Sequence, residues 1–240
     1  MREKSEKLAH LLARHIVSEV GINDVGVGEA LESESEMIDR YEVSRGSLRE
    51  ALRILEILGF VQMRPGPHGG PVVLPPDSLQ FSTVVRLHYQ RIRATYGQLL
   101  ETRLALEPHA AAMAGQARIP EAIERLETYL EQTRTASLAD DRNFRAIGQD
   151  FHDHIAAVGG NRIVNVLIRN CYDVFAARTL DFPYSEARRQ EIQSIHEQIA
   201  QAVISGRPRT ARSLMYDHMQ AHVREATNEF SGLMGEVVRW

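Results

Sequence analysis

Three histidines, His152, His196 and His218, sit on three separate stretches of helical periodicity in the C-terminal half of the chain. Neutral imidazoles that converge inside a helical bundle can hold a divalent metal such as Zn²⁺, Ni²⁺ or Mn²⁺. The chain has 10 histidines, so hydrogen-bonded core positions are an equally available use for these three. A second constellation lies near the N-terminus. Arg45, Arg49 and Arg53 recur every fourth residue and fall along one helix face. Arginine presents a fork of donors that matches guanine O6 and N7 in the major groove. The plainer alternative is a surface helix with solvated charges.

The arginine row belongs to Val43–Phe60, where Leu48, Leu52 and Leu55, flanked by Ala51 and Leu58, form an apolar stripe on another face. Ser44 is a natural N-cap and Gly59 a stop. Before it, Ser33 and Glu36 form a capping box that opens a short helix, Glu34–Tyr41. Earlier still, Leu8, Leu12, Ile16 and Val20 mark an amphipathic helix over residues 5–20 that Gly21, Gly26 and Gly28 break. After Gly59 the period becomes two. Phe60, Val61 and Met63 alternate with Gln62 and Arg64, and Val72-Val73-Leu74 follows a tip rich in glycine and proline, the pattern of a hairpin. Helix, turn, arginine-bearing helix and hairpin predict a winged helix-turn-helix. Pro75-Pro76-Asp77 is stiff and extended and marks the boundary, giving domains at 1–76 and 77–240.

Beyond the boundary no strand pattern recurs. Helices are expected over about 78–94, 96–117, 120–134, 139–158, 161–180, 186–205 and 208–232, an all-α bundle of six or seven, so the fold class is mainly α. Pro108 falls inside one of them and should bend it near Leu104.

Composition narrows the partners. The 240 residues are 43% hydrophobic and 25% charged, the balance of a globular protein. The absence of a long apolar run or a signal-peptide pattern, together with the single Cys171, leads us to expect a cytoplasmic protein without a membrane partner. Cys171 lies among Val166, Leu167 and Val174, which suits a buried residue rather than a nucleophile. Net charge is −4, and the first 76 residues carry 9 Lys and Arg against 12 Asp and Glu. Affinity for DNA therefore has to come from a local positive surface.

From Leu31 to Val73 the chain resembles the GntR family of bacterial transcription regulators. The resemblance rests on Leu31-Glu32-Ser33-Glu34, Tyr41-Glu42-Val43-Ser44-Arg45, and Leu48-Arg49-Glu50-Ala51-Leu52-Arg53 with Leu55, Glu56 and Gly59. The C-terminal half is similar to the FCD domain of the FadR-like subfamily. There the carrying residues are Glu101, Arg103, Leu106 and Glu107, then Phe151, His152, Ile155, Gly160 and Asn161, then His196, Glu197 and Ile199 with His218.

What the resemblance implies is specific. DNA contacts would come from Ser33, Ser44, Arg45, Ser47 and Arg49, with His68 and Gly69 at the wing tip near the minor groove. Gly46 adds no side chain, Ser35 stands where the family often has a basic residue, and Arg53 pairs with Glu56 or a phosphate. Metal-binding members use histidines at the positions of His152, His196 and His218 plus an Asp or Asn four residues before the first, which here is Gly148. Asp150 lies on another side of that helix. The glycine removes a charge and opens a coordination position for water or a ligand carboxylate. Arg103 would hold the carboxylate of a small organic acid effector, with Asn170, Tyr172 and Arg178 lining its cavity; a structural pair with Glu107 or Glu101 is the other use of Arg103. His154 and His222 are expected to face other neighbours. The implied protein is a homodimer on double-stranded operator DNA, a regulator and most commonly a repressor, not an enzyme. Two other functions fit parts of the pattern: a metal-dependent hydrolase built on the three histidines, and a helical protein-interaction module.

Overall fold

The capping box and the leucine stripe set the first half of the molecule. The structure, a computed structural model, describes residues 2–66, 69–75, 79–117, 119–135, 141–179 and 184–239. Helix α1 covers Arg2–Ile22, α2 Glu34–Tyr41 and α3 Arg45–Ile57. Ser33 accepts the Glu36 amide while the Glu36 carboxylate accepts the Ser33 amide, closing the box at α2. Ser44 caps α3 through the Ser47 amide. Between them Glu42 takes a left-handed conformation, which lets α3 start three residues later, at Arg45.

The expected break at Gly21 does not occur. Helix α1 continues through it to Ile22, and Asp24, at φ 51°, turns the chain instead. Aspartate tolerates that conformation because its short polar side chain bonds locally. Leu12, Ile16, Met37, Leu48, Leu52, Leu55 and Val61 then make one core. Full burial of each leucine is worth about 1.5–3 kcal/mol.

Strands β1 (Val61–Arg64) and β2 (Gly70–Val73) pair antiparallel, with Val61 opposite Val73 and Arg64 opposite Gly70. An added Cβ at Gly69 would lie 2.2 Å from the Arg64 carbonyl oxygen, so the turn admits only glycine there. Residues 29–31 join the free edge of β2: Ala30 bridges Val72, and the Leu31 amide donates to Pro71 O at 2.8 Å. A single bridge is too short to leave a period-two signature.

The chain divides into two compact units at Val85/Arg86, inside helix α4 (Leu79–Arg91). The predicted boundary residues Pro76 and Asp77 lie outside the described residues. The second unit is all helical: α5 (Tyr96–Ala117), α6 (Pro120–Thr135), α7 (Asp141–Val158), α8 (Arg162–Thr179), α9 (Glu186–Ile204), α10 (Pro208–Glu229) and a short α11 (Ser231–Met234). Helix α5 is central and packs on α7, α8, α9 and α10. It runs unbroken through Pro108. Ala111 and Ala114 let its neighbours approach closely, and Leu126, Phe151, Ile155, Ile199, Met215 and Met219 fill the space around them. The last expected helix stops earlier than its periodicity suggested. Phe230 leaves the helical region, and the tail returns to α5, where Val238 N–H donates to Ala94 O at 2.8 Å.

Candidate functional site

Two sites emerge, one in each unit. In the first unit, Arg45, Gly46 and Arg49 are exposed at the start of α3. Arg49 is tied to the helix before it, its Nε donating to Glu34 Oε2 at 2.9 Å. Ser47 turns inward: it is buried, and its hydroxyl sits 2.9 Å from the Ser44 hydroxyl. Ser33 is half-buried in the capping box. Arg53 is exposed, but Glu56 uses its Oε1 to accept the Met63 amide and so braces the wing. His68 lies outside the described residues. A contact absent from the sequence reading also appears here. Arg40 bridges Glu19 of α1 at 2.8 Å and Glu32 at 2.9 Å, orienting the helix pair from behind.

In the second unit, α7, α9 and α10 bring His152, His196 and His218 together, with one ligand nitrogen from each within 4.8 Å of the others. His196 Nε2 and His218 Nε2 are 3.2 Å apart. Two nitrogens that share an ion at about 2.1 Å lie roughly 3.0–3.4 Å from each other, so this pair fits a common cation. All three rings are buried, and Phe151 stacks on His196 at 3.9 Å between centroids. Burial, and next the neighbouring imidazole, holds His196 and His218 well below their ordinary pKa, which favours their neutral forms. His152 Nδ1 abuts Glu107 Oε2, which leaves Nε2 as its free nitrogen.

Glu107 connects this triad to Arg103. Its Oε1 accepts from Arg103 Nε at 2.6 Å, and both side chains are almost wholly buried. Burial pushes the Glu107 carboxyl upward, but Arg103 first and His152 next outweigh it and bring it to about 2. Arg103 also lies under the Tyr172 ring, 5.1 Å from its centroid. Among the described residues, Arg103 Nη1 and Nη2 have no hydrogen-bond partner. Arg103, Tyr172 and the three histidines line one cavity of about 60 Å³. The two uses expected of Arg103, a Glu107 pair and a place on the cavity wall, are thus compatible: Nε serves one while the fork remains for the other.

Other expected lining residues fall elsewhere. Asn170 is buried and accepts the Tyr89 hydroxyl at 2.9 Å, and Arg178 is half-exposed, 3.9 Å from Glu236. Helical phase explains both, since they lie roughly 200° and 240° around α8 from Tyr172. His222, expected to face away, is corrected the other way. It lines the cavity, one turn beyond His218 on the same face of α10, and burial followed by Arg103 brings its pKa to about 3. The i, i+4 spacing of His218 and His222 carried that signal. His154 does face elsewhere, its ring 4.9 Å from that of Tyr129. Asp150 is exposed. The Cys171 thiol is buried, as expected, and that burial pushes its pKa up.

A winged helix-turn-helix joined to an all-α unit with a buried histidine and arginine cavity defines a class of bacterial regulator, and comparison with known proteins agrees. Residues 4–67 match the model of bacterial regulatory proteins of the gntR family, and residues 98–221 match that of the FCD domain. The chain belongs to the GntR family and carries an FCD domain; it is a DNA-binding transcriptional regulator. It is 27% identical over 214 residues to the uncharacterized HTH-type transcriptional regulator YcbG of Bacillus subtilis (strain 168), covering 89% of this chain and 87% of that one. It is 25% identical to the HTH-type transcriptional regulator LutR of the same organism, over 88% and 96% of the two chains. The Exu regulon transcriptional regulator of Escherichia coli (strain K12) is 26% identical over 81% of this chain and 74% of that protein. Among solved structures, Streptococcus agalactiae GntR shares the fold with a TM-score of 0.68 at 22% identity, covering 90% of this chain and 99% of that one. Relatives of this kind do not favour the hydrolase or interaction-module readings. Among the described residues, no helix is long and apolar enough to cross a membrane.

Proposed function

We propose that the protein is a cytoplasmic homodimeric repressor whose grip on operator DNA is modulated by a small organic acid bound in the helical unit. Two winged helices would read the halves of a pseudo-palindromic operator, since a two-fold protein is matched by a two-fold site. Arg45 and Arg49 are the base readers, Ser33 and Ser44 set the helix ends against the backbone, and His68 and Gly69 bring the wing to the minor groove; Ser47, turned inward onto the Ser44 hydroxyl, braces the start of α3 instead of touching DNA. Arg49 exchanges its exposed Glu34 partner for DNA on binding.

Arg103 carries the effector reading. A guanidinium that is only 2% exposed, with one nitrogen on Glu107 and its fork unpartnered on a cavity wall, is a costly arrangement without an anion. A carboxylate satisfies both remaining nitrogens in bidentate fashion. Arg103→Met should abolish acid-induced change in operator affinity while leaving the oligomeric state unaltered; a full response in that variant overturns the assignment.

His152, His196 and His218 would hold a divalent metal, with Glu107 fixing the His152 ring. The metal would supply positive charge and a coordination position for an effector oxygen. Gly148 leaves that position without a protein acid. Elemental analysis of wild type against His196→Ala checks this: metal should be present in the first and lost in the second, and equal content removes His196 from the site.

A further inference from the structure

His222 is a fourth histidine on the cavity wall, and neither the three-histidine cluster nor the Arg103–Glu107 pair uses it. The nitrogens that converge within 4.8 Å belong to the other three. The His222 ring is half-buried and stands edge-on to Phe175, 5.9 Å between centroids. Among the described residues, neither of its nitrogens has a hydrogen-bond partner, and neither is sealed away inside the protein. Burial, and next the charge of Arg103, favours the neutral ring, which donates through one nitrogen and accepts through the other. The rest of the polar wall is more committed. The other histidines turn toward one another, and the Thr179 hydroxyl donates to Phe175 O at 3.3 Å.

The cavity also limits the size of what His222 can meet. A single water needs about 10–15 Å³ of such space, so about 60 Å³ takes roughly four to six non-hydrogen atoms. A carboxylate on the Arg103 fork uses at least half of them and leaves room for a very short body. We propose that His222 is a specificity-determining residue that hydrogen-bonds a hydroxyl on a short monocarboxylate whose head Arg103 holds. The inference rests on the reading of Arg103 as the carboxylate anchor. A hydroxyl suits whichever nitrogen faces it, because it donates and accepts, whereas a neutral ring offers no charge to a second carboxylate. An acid with a purely apolar body would cover His222 and leave it without a partner, at the cost of a lost hydrogen bond. If His222 served only to pack against Phe175, a hydroxyl on the acid would gain nothing from it.

Calorimetric titration of the full-length protein with propanoate, 2-hydroxypropanoate and 3-hydroxypropanoate tests this, since the three share a head and a chain and differ by a hydroxyl. One of the hydroxy acids should bind wild type about three- to tenfold more tightly than propanoate, the worth of one hydrogen bond. His222→Phe keeps a ring without donor or acceptor, and that ratio should fall to about one. His222→Gln restores both functions and should recover part of it. Metal content, read by elemental analysis, should be the same in His222→Phe as in wild type. An unchanged affinity ratio in His222→Phe, a lower metal content in that variant, or propanoate binding wild type as tightly as both hydroxy acids overturns the inference and leaves the anchor standing. If none of the three acids binds wild type, or Arg103→Met binds all of them as well as wild type does, the anchor itself fails and the inference falls with it. Far-UV circular dichroism verifies that each variant is folded, and the wild-type comparison decides even where one is not.

Discussion

Two arginine–glutamate pairs of nearly equal geometry stand at the two sites, and they do opposite things. Arg49 and Glu34 meet at 2.9 Å with the arginine side chain 62% exposed, whereas Arg103 and Glu107 meet at 2.6 Å with both side chains 2% exposed. An exposed pair contributes at most about 1 kcal/mol, because water and salt compete with it. It is therefore easily exchanged for a phosphate or a base edge. The buried pair cannot dissociate without stranding a charge, so it serves as a fixed scaffold on which the rest of a ligand site is built. Distance alone would rank the two as equivalent; burial separates a contact made to be exchanged from one made to stay.

The largest consequence falls on the buried pair. Glu107→Gln removes the charge that faces both Arg103 and His152 and leaves Arg103 uncompensated, a change that costs about 3–5 kcal/mol. The midpoint of denaturant unfolding should drop accordingly, with little change in its slope. Should Glu107→Gln lose under about 1 kcal/mol, the pair would be behaving like the exposed one and the contrast would collapse.

A smaller effect, on binding rather than stability, is expected from the exposed pair. Arg49→Ala should weaken operator binding by about 1–3 kcal/mol if Arg49 reads a base, yet shift folding stability by less than about 1 kcal/mol. Titrating labelled operator with the variant gives the first number and urea unfolding gives the second. Operator affinity equal to wild type would leave Arg45 as the reader at this end of α3.

The same contrast explains what the sequence made legible. Signals confined to a few neighbouring residues came through: Ser33 and Glu36 bounded α2, Ser44 located the start of α3, and the alternation around Val61 marked the hairpin. The three histidines stood out from the other seven through the resemblance to the FCD domain; their spacing alone suits ordinary core residues. What stayed hidden depends on tertiary phase. Asn170 and Tyr172 are two residues apart, but only one side of α8 faces the cavity. His222 was missed although its spacing from His218 placed it on the same face. Helix α1 ran past Gly21 because a single glycine costs a helix only about 1 kcal/mol, and the bridge at Ala30 is too short to carry a pattern.

The capping box offers the finest test, because it is the most local structure in the exposed region. Ser33→Ala removes the acceptor for the Glu36 amide and should cost about 1 kcal/mol, the ordinary value of an N-cap. The loss should also depend on pH in a definite sense. Hydrogen bonds from the Ser33 hydroxyl and then its amide hold the Glu36 carboxyl below the usual glutamate range. A carboxyl depressed in the folded state contributes its stability above the unfolded pKa and loses it as pH falls through the folded one. The gap between wild type and Ser33→Ala should therefore be widest near neutrality and narrow on acidification below about pH 4.5, where an unperturbed glutamate is half protonated. A gap that stays constant from neutrality into acid would show that the Ser33 hydroxyl caps the backbone without engaging Glu36, reducing the box to a simple cap.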